Sequence, residues 1–273
     1  MNEPADLEQR FHDALAQGEA SEVLRLSDEL QRENRFAESR EMLEVAWEAM
    51  PSEPRIAERL LELYQRYHNW RAFDTVLTQA LDAHPSAGEL HFAAGCGYEA
   101  RRDWQSAWEA FGRAAAIAPH EAEPVLRQAR AYRLAQQVDD AIRVLQAALR
   151  RHDSHAPIHA ALGYAWIQND RADRAVNCFR KARERQPDWQ PYLNDLAGAL
   201  MLCERWQEAA QAAIESLRLR KKDERAWTVY GIANYRLGDL ERAEQGYRNA
   251  VRAAKSPTRA KGNYGLFLAK RPE

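Results

Sequence analysis

The sequence predicts an all-α protein: an α-solenoid of seven stacked helix-turn-helix repeats with one further helix at each end. The chain aligns with itself at a shift of 34 residues, without a gap, from Ala20 to Pro257. A fixed period of this length is typical of repeat architectures. Within each period, small and apolar residues recur at spacings of three and four, which places them on one face of a helix. Turn residues separate two such faces, so each period predicts a helical hairpin.

The first predicted element is an amphipathic N-terminal helix over residues 4–17. Leu7, Phe11 and Leu15 fall on one side of it, and Gly18 follows its last residue. We expect this helix to cover the exposed face of the first repeat, because terminal repeats of a solenoid need a capping element.

The seven repeats occupy residues 20–53, 54–87, 88–121, 122–155, 156–189, 190–223 and 224–257. Positions 4, 7, 8 and 11 of each repeat form one helix face, and positions 20, 24 and 27 form the second. Position 8 is small in every repeat except the second, which has Leu61, and position 24 is large in every repeat except the sixth, which has Ala213. Gly95 with Phe111 and Gly163 with Phe179 are examples. Small residues let the two helices approach, and large ones fill the space beside them. Prolines at position 32, such as Pro85, end the second helix.

The last predicted element is a C-terminal capping helix over residues 258–273, in which only the pattern of a first helix recurs. Tyr264 and Gly265 match positions 7 and 8, and Lys261 stands at position 4. A charge at this position suits a helix face that water covers. We therefore expect residues 1–273 to form one complete solenoid domain with a polar end.

The repeat residues resemble the tetratricopeptide repeat family. The repeat 156–189 carries the family pattern at these residues: Leu162, Gly163, Trp166, Ala175, Phe179, Ala182 and Pro187. The resemblance extends over residues 20–257. It implies a right-handed superhelix whose first helices line a concave groove that binds peptide segments of other proteins.

Composition and charge exclude several classes of partner. The 39 basic and 41 acidic residues give a net charge of −2, so no overall positive field attracts nucleic acid or an anionic membrane. Cys96, Cys178 and Cys203 lie far apart and form no CxxC pair, which disfavours a disulfide framework and predicts reduced thiols in the cytoplasm. The N-terminus lacks a signal-peptide pattern, and no apolar run is long enough to span a membrane.

Catalytic motifs are missing from the sequence. It contains no GxSxG, HExxH, GxxxxGK[ST] or GxGxxG, so we expect a protein that is not an enzyme and holds no cofactor or metal. His152, His155 and His159 cluster where two repeats meet, and a metal site there is one interpretation. Solvated histidines between repeats are the favoured interpretation.

The resemblance also implies that positions 2, 5, 9, 12 and 13 of each repeat face the groove. From the fourth repeat onward, the residues predicted to bind a partner are Leu126, Arg130, Arg133, Tyr164, Ile167, Gln168, Asn194, Met201, Leu202, Ile232, Tyr235 and Arg236. The apolar members would form an exposed stripe, and such stripes usually mark partner sites. The alternative is that the superhelix buries some of them against a neighbouring repeat.

These features predict a scaffold that captures a segment of another protein. Apolar side chains of the segment would rest on the stripe, while Asn194 and Gln168 would hydrogen-bond its backbone. An acidic side chain or a C-terminal carboxylate would meet Arg130, Arg133 or Arg236. Two alternatives stay open: self-assembly into homo-oligomers, and a recognition subunit accessory to an enzyme such as a glycosyltransferase or sulfotransferase.

Overall fold

The computed structural model describes residues 3–270 and the side chains of residues 6–270. In that range the chain forms sixteen α-helices and no strand, as the 34-residue period predicts. The helices are α1 (Glu3–Gln17), α2 (Ala20–Arg32), α3 (Phe36–Ala49), α4 (Pro54–Arg66), α5 (Trp70–Ala83), α6 (Gly88–Ala100), α7 (Trp104–Ile117), α8 (Glu123–Leu134), α9 (Val138–Leu149), α10 (Ala156–Gln168), α11 (Ala172–Arg185), α12 (Gln190–Leu202), α13 (Trp206–Leu219), α14 (Glu224–Arg236), α15 (Leu240–Ala253) and α16 (Thr258–Lys270). The even-numbered helices α2–α14 are the first helices of the repeats, and the odd-numbered helices α3–α15 are the second helices.

The helices group into two compact units, Met1–Ala135 and Gln136–Glu273. The first unit holds α1–α8, and the second holds α9–α16. Inside each unit, helices that follow one another along the chain pack together, as in α6 with α7 and α14 with α15. Each unit thus contains three stacked hairpins, and the two helices of the fourth repeat are divided between the units, with α8 in the first and α9 in the second. The single domain over residues 1–273 stays a prediction.

Hairpin packing follows the predicted pairing of small with large residues. The Phe111 and Phe179 rings are fully buried in the second helices α7 and α11. A Cβ atom on Gly95 would lie 2.6 Å from the Phe111 ring, and one on Gly163 would lie 2.8 Å from the Phe179 ring. These glycines are therefore required for the ring of the second helix to lie against the first helix.

One crossing is tighter than the sequence pattern predicts. In the seventh repeat, Gly231 of α14 faces Gly246 of α15, and a Cβ atom on Gly246 would lie 2.5 Å from the Gly231 Cα. The two backbones are in direct contact there, because neither residue has a side chain to separate them. Tyr247 packs beside the crossing and is buried.

The turns inside the hairpins share one backbone conformation. The residue at position 15 of every repeat has a positive φ: Asn34, His68, Arg102, Gln136, Asp170, Glu204 and Gly238. The N–H of the next residue returns to the first helix, as in Arg205 N to Leu200 O at 2.9 Å and Asp239 N to Asn234 O at 2.9 Å. This bond belongs to the Schellman motif that ends many helices. Six of the seven turns have the positive φ without glycine.

The two end helices each bury one face. In α1, Phe11 and Ala14 are buried, and Arg10 lies between Glu22 and Glu29 of α2. In α16, Ala260 and Phe267 are buried, and Phe267 packs with Tyr247 at a ring-centroid distance of 5.1 Å. The opposite side of α16 is exposed.

Candidate functional site

First helices of the first unit line an open cavity of about 720 Å³. Its wall includes side chains at the positions predicted to face the groove: Glu58, Glu62, Gln65, Phe92, Cys96 and Glu99. They belong to α4 and α6, and Arg127 and Arg130 of α8 close one end. Side chains at these positions of α4 and α6 therefore line a concave surface in this unit. Of the twelve residues predicted to bind a partner, Arg130 alone lines this cavity.

Two bases of α8 form ion pairs inside the first unit. Arg127 and Arg130 both pair with the carboxylate of Glu99, at 3.0 and 2.9 Å. Arg130 is exposed, whereas Leu126 and Arg133 are half-buried. Arg130 therefore already has an acidic partner inside the first unit. Sequence reasoning missed this pairing, because Glu99 belongs to the third repeat and Arg130 to the fourth.

Glu58, Cys96 and Arg127 are titratable groups of the cavity with shifted pKa values, and the hydrogen bond to Glu123 raises the pKa of Arg127. Burial raises the pKa of Glu58, and the nearby carboxylates of Glu62 and Glu89 raise it further, although Arg55 and Arg59 oppose the shift. No ion-pair partner of Glu58 is present among the residues that the structure describes. Burial also raises the pKa of Cys96 to about 11, so its thiol stays protonated at neutral pH.

The second unit places a buried carboxylate among three first helices. Asp195 of α12 is buried, and it accepts a hydrogen bond from the Tyr164 hydroxyl of α10. The Arg225 guanidinium of α14 lies 3.2 Å from the same carboxylate. The Asp195 carboxylate thus links three successive first helices, α10, α12 and α14. Sequence reasoning missed Asp195, because it stands at position 6, which is not one of the positions predicted to face the groove. An acidic residue between apolar neighbours in α12 was the signal that could have identified it.

The apolar stripe is less exposed than the sequence predicts. Tyr164 is 39% exposed and Leu202 is 61% exposed, but Ile167 and Met201 are half-buried. Ile232 and Tyr235 are also half-buried, because they pack against the cluster formed by Ala243, Tyr247 and Phe267. Packing between neighbouring helices therefore takes up part of the stripe, and the exposed apolar surface is reduced to Tyr164 and Leu202.

The polar residues predicted in the groove differ in availability. Asn194 is 5% exposed, its amide donates to Asp223, and its carbonyl accepts from Ser216 at 2.8 Å. The expectation that Asn194 would bind a peptide backbone is therefore wrong, because the side chain is committed to α13 and to the loop before α14. Gln168 is half-buried and donates to Gln136 at 3.1 Å. Arg236 is exposed, with its guanidinium 5.3 Å from the Trp206 ring centroid.

One of the three histidines predicted to cluster between repeats, His159, has a structural role. His159 is 2% exposed, and its Nε2 lies 2.8 Å from the Asp153 carbonyl. The interpretation of His159 as a solvated residue is therefore wrong. His91 makes the same bond to the Pro85 carbonyl, at 2.8 Å, and the Trp227 Nε1 donates to the Lys221 carbonyl at 2.9 Å. Position 4 of alternate repeats thus holds the loop that precedes its helix.

The described residues contain neither a cluster of metal ligands nor a helix that could cross a membrane. Between residues 6 and 270, no group of three His, Cys, Asp or Glu side chains is arranged to hold a metal ion. Among the sixteen described helices, none combines the length and the apolar character that crossing a bilayer requires.

Comparisons with known proteins identify the repeat. Residues 133–200 match one family model described as Tetratricopeptide repeat, and residues 194–260 match a second with the same description. No curated protein sequence matches the chain. Among solved structures, the protein described as Pseudomonas aeruginosa pilF is 16% identical, with a TM-score of 0.61 and coverage of 80% of this chain and 97% of that one.

Two other solved structures show the same likeness. A tetratricopeptide repeat protein from Parabacteroides merdae is 13% identical, with a TM-score of 0.60 and coverage of 91% of this chain and 98% of that one. YrrB, described as a TPR protein with an unusual peptide-binding site, is 13% identical, with a TM-score of 0.57 and coverage of 70% and 98%. At these identities, the likeness shows the fold alone.

Proposed function

Because this chain belongs to the tetratricopeptide repeat family, we propose that it is a non-enzymatic scaffold that binds segments of other proteins on its first helices. The cavity of about 720 Å³ in the first unit is the observation that carries this proposal. The cavity is concave, and its wall includes both apolar and charged side chains. It lies on first helices, in which equivalent positions recur from one repeat to the next.

The Glu58 carboxylate in the cavity wall favours a basic side chain in the bound segment. Glu58 has a raised pKa because burial and neighbouring carboxylates disfavour its charge. A lysine or arginine beside Glu58 would offset this cost and lower the pKa again. Phe92 and the protonated Cys96 offer the apolar part of the wall. The proposed ligand of this cavity is thus a short segment with a basic residue flanked by apolar ones.

The second unit offers a further face for the same function. Tyr164 and Leu202 would contact apolar side chains of a partner, with the half-buried Met201 beside Leu202 in α12. Arg236 is the exposed base for an acidic side chain or a C-terminal carboxylate. The Tyr164 hydroxyl is already bound to Asp195, so the ring is held in place before a partner arrives.

Selection of random displayed peptides on the purified chain tests the proposal. We expect the enriched peptides to carry a basic residue next to apolar ones, and to protect amides of α4 and α6 from hydrogen exchange. Glu58→Gln should weaken these peptides at least tenfold. The matched control is Glu109→Gln, which removes an exposed carboxylate from the second helix α7 of the same unit.

The pattern of protection decides the outcome. Enriched peptides that protect only second helices, or that bind Glu58→Gln as tightly as the parent chain, would contradict the proposed site. A selection without any enrichment would contradict the scaffold function on these faces.

A further inference from the structure

The second helices of the first unit carry two open pockets at equivalent places in successive repeats. The first pocket lies between the C-terminal ends of α3 and α5 and has a volume of about 510 Å³. The second lies between the C-terminal ends of α5 and α7, and its volume is about 460 Å³. Positions 28, 32 and 26 contribute to both: Trp47, Pro51 and Gln79 line the first pocket, and Leu81, Pro85 and Arg113 line the second. We name them the Pro51 pocket and the Pro85 pocket.

Two hydrogen bonds hold the walls of these pockets in place. The Trp47 Nε1 donates to the Gln79 Oε1 at 3.3 Å, which joins α3 to α5. His91 of α6 also lines the Pro85 pocket, and its Nε2 lies 2.8 Å from the Pro85 carbonyl oxygen. Both pockets are therefore formed before a ligand arrives, which lowers the cost of ordering them on binding.

Apolar side chains form much of each wall. Ala83 lines the Pro51 pocket, and Ile117, which is 40% exposed, stands at the same position 30 in the Pro85 pocket. In the second unit, two of the equivalent positions carry charges instead. Arg183 at position 28 and Glu215 at position 26 form an ion pair at 2.7 Å. The first unit therefore offers apolar surface at two places whose equivalent in the second unit holds an ion pair.

The charges at the two pockets have opposite signs. Glu48 lines the Pro51 pocket, and Arg113 lines the Pro85 pocket. Both side chains are exposed, and neither forms an ion pair with a residue between 6 and 270. Asp82, which is also exposed, stands between the two pockets in α5. A complementary ligand therefore has a basic side chain at the Pro51 pocket and an acidic one at the Pro85 pocket.

The same charges argue against a second copy of the chain as the occupant. A two-fold contact that pairs Glu48 of one copy with Arg113 of the other would set each Pro51 pocket against a Pro85 pocket. Two concave surfaces would then face each other, and neither pocket would receive a side chain. A protruding segment of a different protein fills both pockets.

The spacing of the pockets favours an extended segment. Packed helices are separated by about 8–10 Å, so equivalent pockets of neighbouring repeats lie roughly 10 Å apart. A polyproline II segment has three residues per turn and rises about 3.1 Å per residue, so side chains three positions apart point in the same direction about 9 Å from each other. In a β-strand, side chains three positions apart point to opposite sides.

We propose that the Pro51 and Pro85 pockets bind a polyproline II segment of a partner protein. Two apolar side chains of the segment, three positions apart, enter the two pockets. A basic residue of the segment lies beside Glu48, and an acidic residue lies beside Arg113. This site is separate from the first-helix faces of the proposed function.

A synthetic hexapeptide is the probe for this site. Its sequence, Lys-Leu-Pro-Pro-Leu-Glu, has two leucines three positions apart, a basic residue before the first and an acidic residue after the second. We expect fluorescence polarisation to show saturable binding of the labelled peptide to the purified chain. A control peptide with a third proline between the leucines should bind at least tenfold more weakly, because its second leucine points away from the pocket.

Variants of the chain locate the probe. Glu48→Lys should weaken the probe at least tenfold, and binding should return when the lysine of the probe is replaced by glutamate. The matched control is Glu184→Lys, which changes the exposed acid at the same position 29 of the fifth repeat and should leave binding unchanged. Ala83→Phe should fill the Pro51 pocket and also weaken the probe at least tenfold. Circular dichroism verifies that this variant folds, since Ala83 is exposed.

Four outcomes would overturn the proposal. The first is a probe that does not bind, or that binds Glu48→Lys and Ala83→Phe as tightly as the parent chain. Another is equal binding of the two peptides, which would exclude the three-residue spacing. Binding that is lost in Glu58→Gln and kept in Glu48→Lys would place the probe in the first-helix cavity instead. The last is self-association of the chain, measured by sedimentation, that Ala83→Phe abolishes, because a second copy would then cover the pockets.

Discussion

Gly246→Ala tests the close crossing of α14 and α15. The new methyl group would lie 2.5 Å from the Cα and 2.6 Å from the N of Gly231, and 3.1 Å from the Trp227 carbonyl oxygen. All three neighbours are backbone atoms, which cannot rotate away as the end of a flexible side chain can. Contacts between carbon atoms are favourable at about 3.5–4.0 Å, so the two helices must separate by roughly 1 Å.

The size of the effect follows from two opposing contributions. Overpacking of a dense interface typically costs about 1–3 kcal/mol, and a shift of two backbones belongs at the upper end of that range. Alanine in place of glycine within a helix gains about 1 kcal/mol in helix propensity. We therefore expect Gly246→Ala to lower the free energy of unfolding by about 1–2 kcal/mol. For a domain of roughly 150–250 residues, each kcal/mol shifts Tm by about 2–4 °C.

Gly198→Ala in α12 is the matched control, because a Cβ atom on Gly198 would meet no atom within 4 Å. This change keeps the gain in helix propensity without the collision, so it should raise Tm. Thermal unfolding of both variants by circular dichroism at 222 nm measures the difference. Midpoints that shift in the same direction would refute the reasoning, since the crossing would then tolerate a methyl group.

Three further predictions concern turns, titration and the buried carboxylate. Glu204→Gly should raise the free energy of unfolding by about 1 kcal/mol, and Gly238→Glu should lower it similarly, because positive φ favours glycine; equal thermal midpoints would contradict this. Glu58→Gln should raise Tm at pH 7, and the gain should shrink as the pH falls through the raised pKa of Glu58, because the parent side chain then becomes neutral; a gain that is constant with pH would exclude the carboxylate as its cause. Arg225→Ala should cost about 1 kcal/mol by leaving Asp195 with one donor fewer, and adding Asp195→Asn should recover part of that loss in chemical denaturation.

The fold was predictable in detail from the sequence, because the same packing contact recurs in each repeat and selects the same type of residue at the same position. A glycine at position 8 and an aromatic residue at position 24 recur for one steric reason, so Gly95 with Phe111 and Gly163 with Phe179 were visible as pairs. Gly246 was not visible, because position 23 holds residues of various sizes in the other repeats. A close crossing that occurs in one repeat leaves no periodic signal.

The candidate site was harder to predict, because exposure depends on the neighbouring helix. Position 5 is open in a groove, yet Asn194 at that position is buried by bonds to Ser216 and Asp223. Tyr235 is half-buried because Phe267 of the last helix packs against it. The periodicity of a single sequence predicts the helix face on which a residue lies. It does not predict which polar side chains of neighbouring helices will hydrogen-bond that residue and bury it.

The ring N–H hydrogen bonds at position 4 make every second loop between repeats harder to open than the loops without such a bond. His91, His159 and Trp227 tie down the loops before the third, fifth and seventh repeats, whereas Ala57, Val125 and Leu193 at the same position have no ring nitrogen to donate. Each tie contributes roughly 1 kcal/mol against opening of its loop. When the chain is pulled from both ends, we therefore expect unfolding to begin at the loops without this bond. The chain should then lengthen in steps of two repeats rather than one.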